Sequence, residues 1–218
     1  QRKGAKVGKP NNTVCTVGVN VESRMARSRY QIGVFNVRIE KEKYWGTNVV
    51  DTVKIIESNL AEVRERIRAS AQASGRTAAD VTLVAVCKYF GSEVTRDVVA
   101  AGCRDIGENR PQMLWSKSSD LMALDVRFHQ IGHLQRNKVR RTVSCIDLLH
   151  AGDSLRLISS VSAESVKQAI VSRLLIEVNV SGDENKHGFC PTEMESVLQE
   201  VAVLPNIEVQ GMMAMAGL

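Results

Sequence analysis

The sequence predicts an α/β protein folded as a (β/α)8 barrel of the TIM type, with about six of the eight strands present in this chain. Three observations lead there. Short apolar runs alternate with helical stretches six times between residues 49 and 214, the order that builds a parallel sheet flanked by helices. The clearest run, Val81-Thr82-Leu83-Val84-Ala85-Val86, is continuously apolar and rich in β-branched residues, as strands buried on both faces are. Polar or glycine residues follow the runs: Lys88, Glu108-Asn109, Gly132-His133, Asp153, Asn179 and Ser181. A closed barrel gathers such positions at its mouth, whereas an open doubly wound sheet concentrates them at one switch point.

Residues 1–48 precede this pattern and differ from it in charge. The 218-residue chain carries +5, with 29 basic and 24 acidic residues. Ten of those basic residues and only three of the acids (Glu22, Glu40, Glu42) fall in residues 1–43. A basic extension without fixed structure is expected, since such blocks are usually solvated. Residues 14–21 and 32–39 are its two candidate short strands. A basic tail could draw nucleic acid or anionic lipid, but neither partner is expected from a body that is close to neutral.

The barrel domain is expected over residues 49–218. Val49, Val53, Ile56, Leu60, Val63 and Ile67 recur at three- and four-residue steps, which predicts an amphipathic helix ended near Gly75. The strand at 81–86 follows. Helices near 93–101 and 112–122 lead to strands at 105–107 and 126–131. A short helix from Asn137 leads to a strand at 145–149, and a helix over 154–170 to one at 174–180. A last helix, 192–203, leads to a strand at 207–214. Aromatic residues are only 4%, so the core must be aliphatic.

No run of 18 apolar residues occurs, which excludes a spanning helix. Gln1-Arg2-Lys3-Gly4 lacks the apolar segment of a secretory signal. Cys15, Cys87, Cys103, Cys145 and Cys190 are scattered without a C-x-x-C pair, so neither zinc nor a disulfide framework is indicated. A cytoplasmic protein with reduced thiols is the expectation. The missing initiator Met suggests that the chain begins inside a longer reading frame.

Lys88 follows the buried run directly, so the chain carries an amine from the barrel interior to its rim. Desolvation lowers an amine's pKa and makes it a better nucleophile toward an aldehyde. By position alone, a lysine there more often snorkels into solvent. The other strand ends change that balance. Gly107-Glu108-Asn109 brings a carboxylate and an amide. The segment from His129 to Lys138 brings two histidines, two glutamines and an asparagine. His129 and His133 stand four apart, a metal-binding spacing on a helix, but here they fall on a strand and a turn with no acidic third ligand beside them. No metal site is expected. His129 is read as a packed strand residue and His133 as the one facing the mouth. The stretch from Asn179 to Phe189 reads as a hydrophilic loop across that mouth.

These residues also carry a resemblance. Val84-Ala85-Val86-Cys87-Lys88, Ile106-Gly107-Glu108-Asn109-Arg110, Phe128-His129-Gln130-Ile131-Gly132-His133-Leu134-Gln135-Arg136-Asn137-Lys138, Glu177-Val178-Asn179-Val180-Ser181-Gly182 and Gln210-Gly211-Met212-Met213-Ala214-Met215 stand in this order. Together they resemble the pyridoxal phosphate homeostasis proteins, single-domain barrels similar to the barrel domain of alanine racemase. The resemblance covers about residues 49–218. It implies that Lys88 holds pyridoxal 5′-phosphate as an imine and that Asn109 and His133 lie near the cofactor ring. Asn179 and Met213 fall at matching strand ends, as further cofactor-binding positions.

The family usually has Ser where this chain has Cys87, and Pro111 after Arg110 is unusual. The family also continues through a seventh strand with a Ser-containing turn and an eighth with an Arg-x-Gly-Thr segment, which hold the cofactor phosphate. A truncated form or a piece of a longer protein is therefore expected. The function implied is that of a cofactor carrier without catalytic residues or substrate turnover, a monomer that could serve cofactor-dependent apo-enzymes. The alternative is a cofactor-dependent amino-acid racemase, which would need a placed acid or base besides the lysine.

Overall fold

The computed structural model describes residues 16–17, 31–35, 49–183 and 186–215. The helix expected from Val49 forms α1 (Val49–Ala73), and it ends as Gly75 takes φ +71°, a left-handed conformation that suits glycine. A short 3-10 turn, Ala78–Asp80, redirects the chain into β3 (Val81–Val86), with the Asp80 carboxylate accepting from the Thr77 N–H at 2.9 Å. The repeat then runs α2 (Ser92–Ala100), β4 (Asp105–Glu108), α3 (Pro111–Asp120) and β5 (Arg127–Gln130). It continues through α4 (Val139–Thr142), β6 (Leu148–Gly152), α5 (Leu155–Lys167), β7 (Ser172–Glu177), α6 (Met194–Ala202) and β8 (Ile207–Met213). Pro111 is the first residue of α3, where a missing N–H costs nothing. Ser154 caps α5 by accepting from the Leu157 N–H.

Each strand lies beside its neighbour in sequence, and β3 to β8 pair in parallel. With a helix after each of β3 to β7, this is a partial (β/α)8 barrel. Two short strands stand upstream, at Thr16–Val17 (β1), inside the expected 14–21, and at Gln31–Phe35 (β2), which overlaps the expected 32–39 but starts one residue earlier. β2 pairs in parallel with β3 over five residues, from Gln31 opposite Val81 to Phe35 opposite Ala85. The sheet therefore crosses the boundary that composition draws at residue 48. The remainder of residues 1–48 lies outside the described residues.

Side chains alternate between two layers, as strand geometry requires. Toward the helices, Ile56 and Leu60 of α1, Val98 of α2 and Leu114 of α3 pack on Ala85, Ile106 and Phe128. Leu157, Ile158 and Val161 of α5 pack with Val197 and Val201 of α6 on Leu149, Leu174 and Ile176. Each such Leu or Ile contributes about 1.5–3 kcal/mol relative to exposure. On the opposite face Leu148, Leu175 and Met213 form a smaller apolar cluster.

Among β3 to β8, two strands differ by two or more residues from their expected bounds: β7 is Ser172–Glu177 against 174–180, and β6 is the other. The apolar run begins at Cys145, but the Cys145 N–H turns back onto the Thr142 carbonyl at 2.9 Å. The Asp147 carboxylate then accepts from the Phe128 N–H at 3.0 Å. β6 consequently starts at Leu148 and runs on to Gly152, which brings His150 into the sheet. A β-carbon on Gly152 would lie 2.5 Å from the Leu175 carbonyl oxygen, so only glycine lets these strands approach.

Candidate functional site

Backbone hydrogen bonds fix the point from which Lys88 leaves the sheet. The Cys87 N–H donates to the Gly107 carbonyl at 3.0 Å, and the Cys87 carbonyl accepts from the Phe90 N–H at 3.0 Å and from Lys117 Nζ at 2.8 Å. Cys87 itself packs in the helix-side core, and Lys88 is the next residue. Lys88 is half-buried, with Nζ 5.1 Å from the centroid of the exposed Tyr89 ring, a cation–π distance. Burial pushes the Cys87 thiol up to about 12, which keeps it an inert packing group.

On the adjacent strand end, Asn109 Oδ1 is buried without a hydrogen-bond partner. The Asn109 carbonyl accepts from Gln130 Nε2 at 3.1 Å, and the same nitrogen donates to the Gly132 carbonyl at 3.0 Å. The contact depends on glycine: a β-carbon on Gly132 would lie 2.8 Å from the Asn109 carbonyl oxygen and 2.9 Å from its Cβ. Asn109 and His133 line one cavity of about 350 Å³ together with Arg110, Gln135 and Lys138. Lys88 is not among its lining residues.

His133 and Asp153 are brought together from the ends of β5 and β6. His133 Nδ1 and Asp153 Oδ2 are 2.5 Å apart, and Ser154 Oγ donates to the other carboxylate oxygen at 3.1 Å. The Asp153 side chain is 4% exposed and that of His133 45%. His187 stacks on His133, with centroids 4.5 Å apart and planes at 14°. Burial, then the charge of Asp153, push the Glu177 carboxyl up to about 7, with His133 acting in the opposite sense.

The loop after β7 is folded back onto that strand. The Phe189 N–H donates to the Glu177 carbonyl at 2.8 Å, and the Asn179 N–H to the Phe189 carbonyl at 2.9 Å. Asn179 spends its amide inside the loop, donating to the Asp183 carbonyl at 2.8 Å and accepting from Ser181 Oγ at 2.9 Å. Met213 is the last residue of β8 and packs against Leu148 and Leu175.

The two histidines four residues apart in sequence do not meet. His129 is buried, with Nε2 3.1 Å from Asp105 Oδ1 and Nδ1 2.9 Å from His150 Nε2. Burial raises Asp105, but hydrogen bonds from His129 and Arg127 outweigh it and hold the carboxyl at about 2. Burial and the neighbouring His129 lower His150 to about 3. A larger cavity, about 660 Å³, opens at the opposite ends of the strands beside Arg64, Arg68, Arg104 and Arg127. All four guanidinium groups there have partners: the Gly102 carbonyl, Glu65, Asp125 and Asp105.

Asp153 follows a strand in the sequence with nothing local to mark a role, and Glu177, His150 and His187 likewise carry no local signal. Their chemistry depends on neighbours 20 or more residues away, and no local spacing signals it.

No family model matches the chain. It is 36% identical over 159 residues to a pyridoxal phosphate homeostasis protein of Pseudomonas aeruginosa, covering 73% of this chain and 69% of that protein. It is 35% identical over 154 residues to the protein so named in Aquifex aeolicus, covering 71% and 68%. Among solved structures, a protein of unknown function from Bifidobacterium adolescentis superposes with TM-score 0.71 at 31% identity, over 77% of this chain and 72% of that one. PipY of Synechococcus elongatus, with PLP bound, superposes with TM-score 0.63 at 29% identity, over 75% and 71%. An alanine racemase of Clostridium difficile shares the fold alone, at 13% identity and TM-score 0.53 over 62% of this chain and 37% of that one.

Proposed function

The chain belongs to the pyridoxal phosphate homeostasis protein family, and on that premise we propose that it holds pyridoxal 5′-phosphate on Lys88 as a reserve, without turning over a substrate. The observation that carries this reading is the end of β3. There an amine leaves a backbone pinned by hydrogen bonds from Phe90 and Lys117, next to a strand whose Asn109 Oδ1 lacks a partner.

Pyridoxal 5′-phosphate supplies an aldehyde that condenses with a primary amine. The residues present fit that group. Lys88 offers the amine, half-shielded from water. Asn109 offers a buried amide whose orphaned oxygen gains a partner when a polar ring substituent enters. His133, held by Asp153, borders the same cavity as Asn109 and gives it a hydrogen-bonding wall. Asn179 orders the loop across the mouth, and Met213 supplies an apolar floor. Arg110 and Lys138 line the Asn109 cavity and favour an anionic ligand.

The reading without turnover rests on the names of the relatives, which describe homeostasis and no reaction. Its recipients would be cytoplasmic apo-enzymes that use the same cofactor. The test is to add pyridoxal 5′-phosphate to the full chain, reduce with borohydride, and locate the modified peptide by mass spectrometry. One adduct at Lys88, lost in Lys88→Arg, is expected. Adducts spread over surface lysines, or unchanged in Lys88→Arg, overturn the proposal. Racemisation of an added amino acid that disappears in Lys88→Arg would replace the carrier reading with the racemase one.

A further inference from the structure

We propose that His133, Asp153 and His187 form a binding site for a divalent transition-metal ion at the mouth of the barrel, a site that does not use Lys88. One nitrogen or oxygen from each residue lies within 4.8 Å of the other two. The donors come from three separate strand–helix connections, after β5, β6 and β7. Their convergence is a product of the fold and leaves no motif in the sequence.

The geometry is close to what a metal requires. Both imidazoles turn Nδ1 toward the same carboxylate oxygen, Asp153 Oδ2, at 2.5 Å for His133 and 4.0 Å for His187. Bonds of about 2.0–2.2 Å to a tetrahedral ion space its ligand atoms roughly 3.3–3.5 Å apart, between those two separations. The adjustment falls on the imidazoles, whose side chains are 45% and 62% exposed, while Asp153 stays fixed at 4%. Two parallel rings addressing one oxygen exceed what a hydrogen bond to that oxygen needs.

The surroundings prepare the site. Ser154 Oγ orients the carboxylate from behind, as partners of metal ligands commonly do. Gly188 turns the loop so that His187 reaches Asp153. It takes φ +106°, and a β-carbon there would lie 2.8 Å from the Glu177 carbonyl oxygen. Two nitrogens and one carboxylate oxygen suit zinc, cobalt, nickel or iron(II) better than magnesium or calcium, which take oxygen ligands. Three protein ligands leave a position for water or an added ligand.

The test uses the full chain freed of metal and of pyridoxal 5′-phosphate, titrated with Co²⁺ by visible absorption and with Zn²⁺ by equilibrium dialysis. One equivalent should bind, with a ligand-field spectrum free of thiolate charge-transfer bands. His187→Ala, at an exposed position, should weaken binding by about tenfold or more without changing the circular dichroism spectrum. Asp153→Asn should do the same while keeping the side chain's shape. Lys88→Ala should leave the affinity unchanged, which separates this inference from the cofactor reading. Cys190→Ser should also leave it unchanged, since Cys190 is an exposed thiol in the same stretch of chain. Wild-type binding no tighter than that of a His133→Ala/His187→Ala double variant, or binding lost in Cys190→Ser, overturns the proposal.

Discussion

The ammonium of Lys117, on α3, donates to the carboxylate of Glu108 at the end of β4, and both side chains are sealed from water. Burial pushes the Glu108 carboxyl up, and the hydrogen bond and charge of Lys117 act against it. The same ammonium donates to the Cys87 carbonyl at 2.8 Å. A buried ion pair thus fixes the backbone immediately before Lys88.

Removing one partner of a buried pair leaves the other charge uncompensated, at a cost of about 3–5 kcal/mol. Lys117→Met should therefore lose about that much stability in urea denaturation. The Glu108→Gln/Lys117→Met double variant should recover part of the loss, because no buried charge remains. Additive losses in the double variant would show that the pair is not coupled.

Gly132→Ala tests how closely the β4 and β5 ends must approach. The new methyl would meet the Asn109 carbonyl oxygen at 2.8 Å, its Cβ at 2.9 Å and its Cα at 3.0 Å. Most of these atoms are backbone and cannot swing aside, so about 1–3 kcal/mol of stability should be lost. Affinity for pyridoxal 5′-phosphate should fall with it, as Asn109 is displaced. Gly91→Ala is the control: nothing lies within 4 Å of its β-carbon and its φ is −79°. A Gly132→Ala protein that binds cofactor as wild type does would remove Asn109 from the site.

Cysteine reactivity should follow burial. Cys190 is exposed, whereas Cys87 and Cys103 are buried and burial raises both thiols. A disulfide reagent added to the native protein should modify Cys190 rapidly, and Cys87 and Cys103 only after unfolding. Rapid modification of Cys87 would mean that the end of β3 opens to solvent.

The strand order was legible because short β-branched runs alternate with helical periodicity, although of residues 81–86 only Val84 and Ala85 are buried. Lys88 was singled out by the neighbouring strand-end motifs, since position after the run alone favours a lysine that snorkels into solvent. Asn109 and His133 do share a cavity. The pairing of His133 with Asp153 and His187 was not legible. It depends on where the loop after β7 folds back, and Gly188 sets that turn through contacts with Glu177 and Asn179. His129 showed only that it lies on a strand. Its partners, Asp105 and His150, come from strands on either side.

Those three residues give the fold an acid sensitivity with a defined sign. His129 Nε2 lies 3.1 Å from Asp105 Oδ1 and Nδ1 2.9 Å from His150 Nε2, so its ring bridges the other two groups. Folding lowers His150 from 6.5 to about 3 and Asp105 from 3.8 to about 2. In both cases the unfolded chain takes up the proton first as pH falls. The stabilisation is complete above about pH 6.5. The His150 share declines from there toward about pH 3, and the Asp105 share, about 2 kcal/mol, between about pH 4 and 2. Denaturation midpoints measured from pH 7 to 4 should fall steadily in the wild type. His150→Gln should start lower at pH 7, having lost the ring contacts, and then decline less steeply. Parallel curves for the two proteins would show that His150 is not held neutral in the fold. Asp105→Asn, in turn, should flatten the loss below about pH 4 and leave the His150 window in place, because the two shifts act over different ranges of pH.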